Sequence, residues 1–177
     1  MSIVENLIAG LSGGGAEKLG SRLGVDGRTA AAGLAAAAPM ILGALQRNAS
    51  RPEGAQALDR ALERDHDGGL LDDLSGFLDR GETGGGEAIL GHVFGDRRGA
   101  VDQGVAKAAG LDPATASRLM AMAAPVIMAQ LGKAKREQKL DADALAGLLG
   151  QEGQALQAAA PGQMGALSAI LDADGDG

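Results

Sequence analysis

The residues whose types and spacing come closest to chemistry close the chain. Asp172, Asp174 and Asp176 alternate with Ala173, Gly175 and Gly177. They match the first half of a D-x-D-x-D-G loop, in which spaced carboxylates converge on one hard cation and glycine permits the turn. Calcium is the cation such a set would hold. A complete loop needs a bidentate Glu at its twelfth position, and this sequence supplies none. An internal echo, Asp65-His66-Asp67-Gly68-Gly69, departs further from the pattern, with glycine at position five and Gly76 at position twelve. It reads equally well as a polar turn between helices, with Asp67 or Gly69 capping the next one.

A second constellation lies between Val105 and Leu119. Small residues, a turn glycine at Gly110 and an apolar residue after the Asp112 cap follow the spacing of a helix-turn-helix. Thr115, Ser117 and Arg118 would be its reading residues. Any tight helix pair needs the same small residues and turn glycine. The stretch after Arg118, Leu-Met-Ala-Met-Ala-Ala-Pro, also has the composition of a buried helix rather than of a reading face. The two histidines, His66 and His92, have no neighbouring nucleophile motif, and His92 reads as a packed histidine bonded to backbone. Gly84-Gly85-Gly86-Glu87 lacks the Gly-Lys-Ser/Thr ending of a phosphate cradle. No catalytic dyad emerges, and a non-enzyme is expected.

The elements that must position these residues centre on a segment that occurs twice. Asp26 to Leu45, DGRTAAAGLAAAAPMILGAL, aligns without a gap on Asp112 to Leu131, DPATASRLMAMAAPVIMAQL, after a shift of 86 positions. Gly24 falls on Gly110, Thr29 on Thr115, and Ala37-Ala38-Pro39 on Ala123-Ala124-Pro125. Each copy reads as a long helix opened by an acidic cap, with a kink or break just before its proline. Leu34, Ala38, Ile41, Leu42 and Leu45 form one apolar stripe. Shorter helices are expected over 3–11, 16–23, from Pro52 past Leu62, 70–78, 87–94, 97–109 and from Asp141 past Leu149. The reading is an all-α multihelical bundle built from an internal duplication. Its parts are a first repeat over 1–80, a Gly-rich linker and hinge over 81–86, a second repeat over 87–171 packed on the first, and an acidic tail over 172–177.

Composition agrees with helices. Phe77 and Phe94 are the only aromatics among 177 residues, so the core has to be built from Ala, Leu, Ile, Val and Met. Small side chains let helices approach closely, and Ala has the highest helix propensity. Nothing alternates with the period of two that a sheet requires. The absence of cysteine removes disulfides and thiolate sites. A net charge of −7 disfavours nucleic acid and anionic lipid as partners. The start, MSIVENLIAGLSGGG, has no basic region ahead of its apolar stretch, so a cytoplasmic location is expected. The long uncharged run from Thr29 to Gln46 reads as a core helix and not a membrane span.

The stretch ILGHVFGDRRGAVDQGVAKAAGLD, from Ile89 to Asp112, followed by a long Ala-Pro helix and the closing Leu-Asp-x-Asp-Gly-Asp-Gly, resembles the YidB-like family of bacterial proteins. The resemblance implies a multihelical fold, a bacterial source and no assigned activity. Together these readings favour a non-enzymatic protein-interaction or self-assembly module. A surplus of small-residue helix surface and the adaptable Met120, Met122 and Met128 support it. A calcium-responsive module and a DNA-binding regulator are the alternatives.

Overall fold

The computed structural model describes residues 14–159 together with Ile3, Glu5, Asn6 and Ala9. Among these residues every regular element is helical. Helix α1, Gly15–Leu23, buries Leu19 and Leu23 and ends at Gly24, whose left-handed φ of 74° suits glycine. The chain then turns so tightly that a side chain at Gly20 would meet the Val25 carbonyl oxygen at 2.7 Å. Asp26 caps α2, Gly27–Ala49, accepting from the Thr29 N–H at 2.9 Å and from its hydroxyl at 2.9 Å. Pro52 opens α3, Pro52–Arg64. A short 3-10 turn, Gly69–Asp73, leads into α4, Leu74–Arg80. Next come α5, Gly84–Phe94, and α6, Arg98–Ala109. Helix α7, Pro113–Gln138, and α8, Ala142–Ala159, complete the bundle.

Helices α2 and α7 pack on one another at the centre, and α3, α5, α6 and α8 lie around them. Both helices bring small residues into the core: Ala30, Ala37, Ala38, Ala116, Ala121 and Ala124 are fully buried. At Gly33 an added carbon would meet the end of the Leu119 side chain, which packs against the glycine. Ile41, Leu119, Met120 and Ile127 fill what remains of the core. Both long helices are long and apolar enough to cross a membrane, and 72% of the qualifying stretch of each is buried inside the bundle.

Of the kink and the break expected at each proline, the break does not occur: α2 runs through Pro39 and α7 through Pro125. Both rings are buried, so packing on every side holds the helix together across the missing hydrogen bond. Nor is 81–86 a linker throughout. Gly84, Gly85 and Gly86 form the first turn of α5, and a side chain at Gly86 would meet the Ala121 carbonyl oxygen at 1.6 Å. Gly86 allows the start of α5 to lie directly on the backbone of α7, whereas Gly84 and Gly85 face open space.

The likeness between the two long helices is visible at their starts. Gly110 adopts φ 67°, and Asp112 accepts from the Thr115 N–H at 3.0 Å and from its hydroxyl at 2.6 Å, as at Gly24, Asp26 and Thr29. Beyond the prolines they diverge, since α2 stops at Ala49 whereas α7 continues to Gln138. An internal duplication of the whole unit does not follow from these correspondences.

Candidate functional site

The sequence-predicted site residues do not gather in one place. Asp172, Asp174 and Asp176 lie outside the described residues. In the internal echo, Asp67 accepts from the Gly69 N–H at 3.0 Å and its other oxygen lies 3.8 Å from Arg136, while Asp65 lies 3.6 Å from Arg64. This is a helix-joining turn. Among the described residues no three His, Cys, Asp or Glu side chains group as a metal site would require.

Thr115 is taken up by the Asp112 cap, and Ser117 accepts from Arg98 at 3.2 Å. Arg118 is exposed but donates to the Arg22 carbonyl at 3.0 Å, tying α7 to α1. Behind these residues α7 enters the core, with Leu119 to Ala129 buried throughout. The methionines expected to offer an adaptable surface are therefore mostly core: Met120 and Met122 are sealed, and Met128 alone reaches an opening.

Sequence reasoning also misplaced His92. It is exposed on α5, because the apolar side of that helix is taken by Leu90 and Phe94. It stands with His66 in a single groove of about 650 Å³, a feature no local motif announces. The groove has a simple origin. Helices α3 and α5 both pack on α2 and on α7, and a channel remains between them. Leu45, Leu58 and Met128 form its floor. Gly54, Ala57 and Ala61 make one wall, and Ala88, Ile89 and Val93 make the other. The α3 wall is low because residues at i, i+3 and i+7 on that face carry at most a methyl group.

The frame of the groove is fixed by close approaches. A side chain at Gly54 would meet the Asn48 carbonyl oxygen at 1.8 Å, which seats the start of α3 on the end of α2. Asn48 itself donates to the Val93 carbonyl at 3.3 Å and so ties α2 to α5. His66 is held where its carbonyl oxygen lies 1.7 Å from the position a Gly132 side chain would take. The far side of α3 is anchored to α7 by Lys135, whose ammonium lies 2.9 Å from Asp59 and 2.8 Å from Glu63. These two carboxylates hold the Lys135 pKa up.

Polar groups stand at the rim: Asn48, Arg51, Glu53 and His92 are exposed, and His66 is half-buried. Burial pushes the His66 imidazole below its ordinary value, with Asp65 acting in the opposite sense. A second, smaller notch of about 90 Å³ shares Asn48 and Val93 with the groove and is lined also by Arg47 and Arg97. The lining is that of a binding surface, with apolar walls and a few polar groups along the edge.

A family model for bacterial proteins of unknown function, DUF937, matches residues 5–134. The chain belongs to this family. YidB is a member, in agreement with the resemblance carried by residues 89–112. The matched span takes in α1 to α6, most of α7 and every residue that lines the groove of this DUF937 protein. No curated protein and no solved structure matches the chain.

Two buried carboxylates lie away from the groove. Asp102, between α6 and α7, is 9% exposed. Its carboxyl is pushed up by burial and drawn back by Ser117 and by Arg98, whose Nε lies 3.9 Å away. Glu152 on α8 accepts from the Ile3 N–H at 2.9 Å and is likewise pushed up by burial.

Proposed function

We propose that this protein is a non-enzymatic protein-interaction module that receives an apolar helix in the channel between α3 and α5. One observation supports the reading above others: two neighbouring helices share a floor yet leave about 650 Å³ of apolar-walled space between them. A helix lying on Leu45, Leu58 and Met128, against Gly54, Ala57 and Ala61, would bury its own apolar face there. Each Leu or Ile side chain so covered contributes about 1.5–3 kcal/mol. The small residues of α3 match this use, since they let a third helix come close without displacing anything.

A photo-cross-linking residue placed at Ala88 on the groove wall, in cells of the bacterial source, tests the proposal. Ala114, exposed at the start of α7, is the control position. A discrete protein adduct is expected from position 88 and not from position 114. Adducts of the same kind from both positions, or none from 88, would remove the support.

A further inference from the structure

We propose that occupation of the groove is proton-linked: an apolar helix seats only while His66 and His92 are neutral, so it is held near neutral pH and released in acid. The inference rests on the reading of the groove as a helix-docking surface and names what regulates it. Its first ground is placement. The sequence contains two histidines, and both line this one channel, His92 on the α5 wall and His66 just past the end of α3. Ala88 and His92 are four residues apart and share one face of α5, so a helix that covers the first also covers the imidazole of the second. His66 is half-buried before anything binds. Its turn is seated on α7: a side chain at Gly132 would collide with the His66 carbonyl, and Gly68 rests against Lys133. With the turn fixed in this way, an arriving helix takes water from the imidazole.

The second ground is the set of charges around the two rings. Beside His66, Asp65 lies 3.6 Å from Arg64, and Asp67 accepts from the Gly69 N–H and lies 3.8 Å from Arg136. The side chain that α7 places against the turn is a cation, Lys133, 3.9 Å from Glu137. Across the channel α5 contributes His92 itself. The carboxylate of the lining, Glu53, stands with Arg51 at the start of α3, roughly 17 Å along the helix from its His66 end. Near His92, Glu87 lies five residues back and so off its face of α5, and Asp96 follows the break at Gly95. Covering a charged imidazole here with an apolar helix removes its hydration and supplies no new partner, so the proton leaves as the helix seats. Burial already holds the His66 pKa below its ordinary value, against the opposing pull of Asp65, and an occupant extends that burial. The empty groove thus binds protons more tightly than the filled one. Affinity for the helix is full above the His66 pKa of the empty groove and falls as pH drops through it.

A neutral apolar fluorophore, N-phenyl-1-naphthylamine, tests this on the whole chain, because its own charge does not change between pH 5 and pH 7.5. The binding counted is the part lost in Ala57→Trp, which fills the channel. That binding is expected to be about fivefold weaker at pH 5 than at pH 7.5. His66→Gln combined with His92→Gln keeps both positions neutral throughout and should make the affinity the same at the two pH values. In the parent protein, the imidazole C–H signal of His66 should titrate at lower pH with the fluorophore bound than without it, a readout that needs no substitution. Urea unfolding at each pH checks that every variant is folded. Channel binding that is equally tight at both pH values, an unmoved His66 titration, or a pH dependence that survives in the double variant would overturn the linkage and leave the groove standing. Absence of channel binding at both pH values would overturn the groove and the linkage together. Cross-linking from Ala88 reads the protein partner separately.

Discussion

Two regions of this bundle use the same small residues to opposite ends. Where α2 meets α7, alanines and Gly33 face another helix, and the interface closes with Leu119 inserted against the glycine. Where α3 faces α5, Ala57 and Ala61 line a channel that no helix of the described residues fills. A small side chain thus sets how close a neighbour can come. Whether it makes core or cleft depends on whether a neighbour is present.

Truncating the closed region should have the largest effect. Leu119→Ala removes a fully buried side chain at the centre and is expected to cost about 4 kcal/mol in urea unfolding. Enlarging a small residue in the same region comes next. Gly86→Ala forces a methyl group onto the Ala121 carbonyl and should cost about 2 kcal/mol. The comparison would be broken by Ala57→Leu if that change cost as much, because the side chain enters open space and should alter stability by less than about 0.5 kcal/mol.

The pH dependence sharpens the contrast between exposed caps and buried acids. Asp26 and Asp112 have lowered pKa values, owing to their hydrogen bonds with Thr29 and Thr115. Their stabilisation is complete above the ordinary carboxylate range and is lost as pH falls through the lowered folded values. Asp102 has the opposite sign: its raised pKa means that the folded state binds the proton more tightly, so stability falls as pH rises through that window. Asp102→Asn should therefore remove a loss of stability that sets in as pH rises above the ordinary carboxylate range, and Asp26→Asn with Asp112→Asn should flatten the acid limb. Unfolding curves between pH 3 and pH 7 read both effects. Asp26→Ala and Asp112→Ala should lower the urea midpoint by similar, small amounts.

Much of the fold was legible because the signals were local. Gly24 and Gly110, the Asp caps with Thr three residues on, and the apolar stripe of α2 each act within a few residues. The continuity of the long helices through their prolines and the role of Gly86 were not legible, because both depend on distant partners. Pro39 is carried by the packing around it, and Gly86 is fixed by Ala121, thirty-five positions away. The groove was not legible for the same reason: His66, Ala57, Ile89 and Met128 come from four parts of the sequence. The small residues of α3 were its one visible trace, and they were indistinguishable from core positions without their surroundings.

The most direct test of the account is Ala57→Trp, which fills the channel from its low wall. Cross-linking from Ala88 and unfolding by urea are measured on the same variant. The account predicts that stability stays within about 0.5 kcal/mol of the parent, as for an open surface position, while the adduct from position 88 is lost. An adduct that survives a filled channel would contradict docking between α3 and α5.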